Sequence, residues 1–225
     1  MKVIYDDAVI TLLEKPIGIS SQATDNDACL PSLLLAYYQE KGERAEPFVL
    51  HRLDTAVGGL MVYAKTKNAA AILSKAIAQG ALHKRYLAVV AGDVERELGK
   101  TGELFDYLFK DSKKNKSFAV KKKRNGVKEA RLTYEVLGKR EHEGCVLSLV
   151  SVALLTGRTH QIRVQFSSRG FPLWGDGKYG SRIKGDIALF SKELSFCHPV
   201  SGEAVSFSLA APDRLPFSLW KEDLS

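Results

Sequence analysis

The sequence predicts an α+β fold, a mixed and largely antiparallel β-sheet core with flanking helices. Three observations predict it. Ala130, Leu132, Tyr134 and Val136 alternate with Arg131, Thr133 and Glu135, the period of a strand with one face on a core. Cys145 to Leu155 is almost entirely apolar, the pattern of a central strand covered on both faces. The remaining strand-like and helix-like segments follow one another without the alternation of a βαβ architecture.

Taken in order, Val3-Ile4-Tyr5 and Val9 to Leu13 are β-prone runs joined by Asp6-Asp7-Ala8, a hairpin pattern. Lys15-Pro16-Ile17-Gly18 breaks regular structure, and residues 21–29 are polar and read as loop. Leu30 to Lys41 reads as a helix, with Pro31 in its first turn and Gly42 past its end. Val49-Leu50 and Leu60 to Ala64 are apolar runs read as buried strands, the second preceded by Gly58-Gly59. Asn68 is placed to cap a helix running to Gln79, with Ile72, Leu73, Ala76 and Ile77 on its apolar face and Gly80 as its stop. Lys84 to Gly92 is a strand entered through basic residues, and Leu194 to Phe207 is a hairpin across Ser201-Gly202. With no internal repeat and no compositional break, residues 1–225 are expected to form a single domain.

Composition narrows the function classes. A chain of 225 residues, 45% hydrophobic and 26% charged, is long enough to bury a full core. No stretch approaches 18 consecutive apolar residues and the N-terminus lacks a signal-peptide pattern, so neither a membrane anchor nor export is expected. Cys29, Cys145 and Cys197 are odd in number and far apart, which fits neither a disulfide framework nor a Cys-x-x-Cys metal site and favours a reducing cytoplasm.

The net charge of +7 is concentrated. Between Lys110 and Lys128 stand nine Lys and Arg residues against Asp111 alone, and Ser117-Phe118-Ala119-Val120 interrupts them with strand-forming residues. A basic hairpin insertion at about 110–128 facing a polyanion is expected, with Lys121, Lys122, Lys123 and Arg124 as phosphate contacts.

Two polar clusters interrupt the apolar pattern. His51-Arg52-Leu53-Asp54 lies between apolar runs, where chemistry would rest on rigid supports; alone, it could equally be a solvated ion pair of about 0–1 kcal/mol. Thr156-Gly157-Arg158-Thr159-His160-Gln161-Ile162-Arg163 follows the buried strand, and a Gly-Arg turn opening a helix offers N–H donors and a cation to an anion.

Six segments in this order resemble the RluA family of RNA pseudouridine synthases: Glu14 to Gly18, His51 to Asp54, Lys84 to Ala88, Thr156 to Arg163, Gly170 to Gly180, and Phe196 to Pro199. The resemblance implies the pseudouridine synthase fold with a central RNA-binding cleft and isomerisation of uridines in rRNA or tRNA; because the sequence begins almost at the first of these segments, no S4-type module is expected before it. It implies Asp54 as the catalytic carboxylate, Arg52 as the side chain filling the gap left by the flipped uridine, and Tyr86 against the target base. Arg163 would pair with Asp54, and Ile162 would wall the base pocket. One departure is plain: Val57-Gly58-Gly59 stands where the family has Thr-Ser-Gly.

The isomerisation is redox-neutral, and neither cofactor nor metal is expected. A carboxylate can attack sugar or base, or stabilise a cationic sugar; Tyr86 can stack or take part in proton removal. The expected partner is RNA, with no membrane and no metal, and the protein a monomer. A non-catalytic RNA-binding protein using the same cleft, and a metal-dependent nuclease built on His51, Asp54 and His160, are the competing readings. The spacing of His51 and Asp54 supplies no third ligand, and both histidines are expected to be structural hydrogen-bonders.

Overall fold

In the computed structural model, which describes residues 1–23 and 29–223, Asp7 turns the chain back on itself. Its Oδ1 accepts from the backbone N–H groups of Val9 and Ile10, both at 2.8 Å, so β1 (Lys2–Asp6) pairs antiparallel with β2 (Ile10–Lys15). Part of the loop expected over 21–29, residues 24–28, lies outside the described residues. Then α1 (Leu30–Glu40) begins with Pro31 in its first turn and ends before Gly42, whose φ of +72° suits glycine.

The next strand, β3 (Phe48–Val49), is only two residues long, and Val49 is 39% exposed. It pairs at the far end of β4 (Gly58–Ala64), every residue of which is buried. The expectation of a buried strand fails for Val49, since a short edge strand leaves one side to water, and holds for Leu60 to Ala64. Helix α2 (Lys67–Ala78) is capped by Thr66, whose side chain accepts from Ala69 N–H, and not by Asn68, which lies inside the first turn. Ala69 and Leu73 are buried, while Ile72, expected on the apolar face, is 40% exposed.

Strand β5 (His83–Ala91) leads to a five-residue helix, α3 (Val94–Leu98), capped by Asp93. Three long antiparallel strands follow around a short one: β6 (Thr101–Asp111), β7 (Lys116–Val120), β8 (Val127–His142) and β9 (Cys145–Leu154). Strand β9 runs between β5 and β8, and residues 147–152 are buried, as its apolar run requires. The last helix, α4 (Gln161–Ser167), is short and almost wholly buried. Finally β10 (Leu189–Cys197) and β11 (Ala204–Ser208) form the hairpin expected near Ser201-Gly202.

Backbone proximity divides the chain into two units. One comprises Met1–Lys84 with Ser191–Leu209; the other comprises Arg85–Phe190 with the residues from Ala210 on. In the first unit the strand order is β1-β2-β4-β10, with β3 on β4 and β11 on β10. Its core gathers Ile10, Leu12, Leu60, Val62, Leu73, Leu82, Leu194 and Phe196. In the second the order is β5-β9-β8-β6-β7; α4 packs on β6 and β7, and its Val164 clusters with Leu108 of β6, Ala130 of β8 and Tyr179.

Candidate active site

In the first unit the chain enters β4 through His51 to Val57, and the pattern of this segment explains its posture. Leu53 is buried while Arg52 is exposed and Asp54 half-buried, so the apolar side chain anchors the segment between two charged ones. Four backbone fastenings hold the turn. Val57 N–H donates to Asp54 O at 2.9 Å, Ser21 Oγ to Leu53 O at 2.9 Å, Gly18 N–H to Thr55 O at 2.8 Å, and Lys15 Nζ to Thr55 O at 3.1 Å. Ser21 is itself held, because Tyr63 OH donates to its carbonyl at 2.6 Å. Among the described residues, Arg52 Nη1 donates to Oε1 of the exposed Gln22 at 3.1 Å.

The Val57-Gly58-Gly59 departure has a local logic. Val57 packs in the core, and Gly59, at φ +116°, lies so close to Ser191 that a Cβ would come 2.3 Å from its carbonyl oxygen. Glycine is required there for both reasons.

Lys15 is a buried cation beside this turn. Besides Thr55 O, its ammonium donates to Pro16 O at 2.9 Å. Burial pushes it down to about 8, against the opposing pull of the Asp54 charge. His51 is also buried, and Val62 N–H donates to its Nε2 at 3.2 Å. That lone pair is therefore engaged, the proton of the neutral ring sits on Nδ1, and Nδ1 meets no partner among the described residues. Burial first, and the charge of Lys84 second, hold its pKa well below the usual imidazole range.

In the second unit, Tyr86 is buried on β5 opposite Val152 of β9. Ile162 and Arg163 are buried on α4. Arg163 is clamped in a fork: Nε donates to Asp176 Oδ2 at 2.6 Å and Nη2 to Asp176 Oδ1 at 2.8 Å. Its guanidinium also stands 5.0 Å from the centre of the Tyr179 ring. The Tyr179 hydroxyl accepts from Ser117 N–H of β7 at 2.8 Å and bonds His160 Nδ1 at 2.9 Å. Ser117 Oγ donates to Thr159 O at 2.7 Å, so the start of β7 is tied to the turn before α4 twice over.

The Gly-Arg turn is not the open anion site its sequence suggested. Arg158 N–H donates to Gln161 Oε1 at 2.9 Å, and the helix starts only at Gln161, after His160 in a left-handed conformation. The basic run behaves otherwise: Lys121, Lys122, Lys123 and Arg124 are all exposed in the β7–β8 connection, and only Lys123 is paired with Glu129, at 3.1 Å, among the described residues. Among those residues no group of three or more His, Cys, Asp or Glu side chains is arranged to hold a metal ion, and no helix is long and apolar enough to cross a membrane.

The sequence pattern of the RNA pseudouridylate synthase family matches residues 9–168. The chain belongs to this family. A ribosomal large subunit pseudouridine synthase D of Zymomonas mobilis is 31% identical over 232 residues, covering 96% of this chain and 70% of that one. A dual-specificity RNA pseudouridine synthase RluA of Haemophilus ducreyi is 30% identical over 209 residues, covering 91% of this chain and 90% of that one. Among solved structures, human RNA pseudouridylate synthase domain containing 4 shares the fold at a TM-score of 0.78 and 20% identity, over 98% of this chain and 92% of that one. The protein is an RNA-modifying isomerase on an α+β, mostly antiparallel pseudouridine synthase fold.

Sequence reasoning did not single out Lys15 beside the Asp54 turn, nor Asp176 and Tyr179 around Arg163. Lys15 and Asp176 carried the signal of a charge embedded in a turn-rich segment that also resembles the family, Glu14 to Gly18 and Gly170 to Gly180. Burial is what turns such a charge into a structural commitment.

Proposed function

We propose that the protein isomerises specific uridines in structured RNA, rRNA or tRNA, with Asp54 as the catalytic carboxylate. The observation that carries this reading is the turn at Asp54, whose backbone is fastened by Lys15, Gly18, Ser21 and Val57 and whose half-buried carboxylate follows two residues after the exposed Arg52. Such anchoring supplies the fixed geometry that covalent or electrostatic assistance at a sugar requires.

The reaction breaks the bond from ribose C1′ to uracil N1 and forms the bond from C1′ to C5. The proton on C5 then leaves to a base or solvent, and N1 gains one. Asp54 assists the first step as nucleophile or as counter-charge. Arg163 is the cationic member of the catalytic set, Ile162 walls the base, and Tyr86 stacks on it or takes part in removing the C5 proton. Arg52, planar and cationic, takes the place of the flipped uridine, offsetting an unstacking cost of a few kcal/mol. Lys121, Lys122, Lys123 and Arg124 hold phosphates. The name of the Zymomonas mobilis relative, a ribosomal large subunit synthase, supports an rRNA target. The whole chain acts as one catalytic domain and as a monomer. Two exposed cysteines, Cys145 and Cys197, fit a reducing cytoplasm.

The test is release of tritium from RNA labelled at uracil C5. Wild-type protein is expected to release it, and Asp54→Asn to lose release while binding the same RNA with nearly unchanged affinity. Undiminished release by Asp54→Asn would overturn the assignment of Asp54. Binding without release by the wild type would make the protein a non-catalytic RNA binder.

A further inference from the structure

The sheet formed by β6, β7 and β8 has two unlike faces. Leu104 and Leu108 of β6 are buried, Leu108 packing with Val164 and Tyr179. Alternation sends Phe105, Tyr107 and Phe109 to the opposite face. The register adds to it: Phe118 lies opposite Phe109, Arg131 opposite Phe105, and Val120 and Glu129 on either side of Tyr107. Directly opposed residues share a face, so four aromatic rings line one surface. Phe105 is 38% and Phe118 36% exposed, and the Phe105 and Tyr107 rings meet edge to face at 5.2 Å.

Cations stand over three of these rings. The Arg131 guanidinium is 4.9 Å from the centre of Phe105, the Arg124 guanidinium 5.6 Å from Phe109, and the Lys116 ammonium 5.6 Å from Phe118. The exposed Lys121–Arg124 run borders the same surface through the β7–β8 connection. From Phe105 to Phe109 the strand covers about 13 Å, room for a few stacked bases.

We propose that this face is a stacking platform for unpaired nucleotides of an RNA substrate, with rings and guanidinium planes taking bases and the flanking lysines taking phosphates. The chemistry favours single-stranded RNA over a protein partner. The buried core of a protein interface is depleted of charge, whereas here a cation accompanies each of three rings. Aromatic rings and arginine planes are the surfaces on which unpaired bases stack. The proposal rests on the RNA-directed reading of the protein and uses none of Arg52, Asp54, Tyr86 or Arg163. It extends recognition to nucleotides beyond the reacting uridine.

The test uses the full chain and two uridine-free probes, an unpaired oligoadenylate 12-mer and a G·C duplex of equal length, with binding read by fluorescence anisotropy across a salt series. Phe105→Ala/Phe118→Ala is expected to weaken oligoadenylate binding at least about tenfold, from the stacking lost at two rings, with duplex binding changed less than about threefold and the salt slope unaltered. Lys121→Gln/Lys122→Gln is expected to lower the single-strand slope by about 1.4 and to keep the preference for the single strand. Both variants change exposed side chains, and their unfolding transitions are expected to match the wild type. Ultraviolet crosslinking should place oligoadenylate on peptides holding Phe105, Tyr107 or Phe118. Unchanged oligoadenylate binding by the aromatic variant, equal losses on both probes, or crosslinks confined to other peptides would each overturn the platform. Because the probes contain no uridine, these results stand apart from tritium release, which decides the catalytic reading.

Discussion

Arg163 and Asp176 form a buried, two-pronged ion pair, with Nε to Oδ2 at 2.6 Å and Nη2 to Oδ1 at 2.8 Å. The carboxylate comes from the turn after Trp174, the guanidinium from the first turn of α4. The Arg163 guanidinium is thus oriented from within its own unit.

Asp176→Asn keeps the volume but leaves the buried Arg163 charge short of its counter-ion. Breaking a buried pair on one side costs about 3–5 kcal/mol, so the urea midpoint should fall substantially. Arg163→Met/Asp176→Leu should cost less than the sum of the single changes, because neither charge is then stranded. Equal urea midpoints for wild type and Asp176→Asn would show that the pair does not hold Arg163.

His51 sets an acid limit. Its folded pKa lies well below 6.5, so the folded protein keeps it neutral while the unfolded chain takes up a proton as pH falls through that range. The unfolded state then binds more protons, and stability falls with falling pH by about 1 kcal/mol per unit. His51→Gln retains an acceptor for Val62 N–H and does not titrate. Urea midpoints compared at about pH 7.5 and about pH 5.5 should drop less in this variant than in the wild type; parallel drops would clear His51 of the effect.

Lys15 acts at the other end of the scale. Its folded pKa of about 8 lies below the usual 10.5, so between those values the unfolded chain holds the extra proton. Stability should therefore rise with pH across that window, by up to about 3 kcal/mol from this residue. Lys84, pushed to about 8 by burial, adds in the same direction. Lys15→Met should flatten the rise and, by removing a donor to Thr55 O, also slow tritium release. A rise as steep as the wild type's would remove Lys15 as its source.

Much of the fold was legible because one face of each strand had to be apolar. Strand β8 announced itself through Ala130 to Val136, and β9 through its unbroken apolar run. Strand β6 went unread for the opposite reason. Phe105, Tyr107 and Phe109 put aromatic residues on the outer face and Leu104 and Leu108 on the inner one, which erases the contrast that marks a half-buried strand. Helix α3 was too short for any helical period to appear. The cap at Thr66 was missed because Asn68 is an equally good capping residue, and only the backbone decides between them.

The site divides in the same way. Asp54 and Arg52 stood out because charge between apolar runs is visible along the chain. Asp176 did not, since what matters about it is zero exposure and a partner thirteen residues away, both set by tertiary packing. The buried amine of Lys15 and the hydroxyl of Tyr179 were hidden likewise: each joins segments that no local pattern connects.

That hydroxyl has a consequence for how the protein can be altered. Ser117 of the hairpin and His160 before α4 both hang on one phenol, whose ring lies under Arg163. The hairpin is thus geared to the guanidinium and cannot be treated as a detachable arm. Swapping its tip for that of a relative, to redirect which RNA is chosen, leaves the gearing intact only if the backbone amide at position 117 stays in register with Tyr179. A graft that slips the strand by one residue trades new recognition for a loose Arg163.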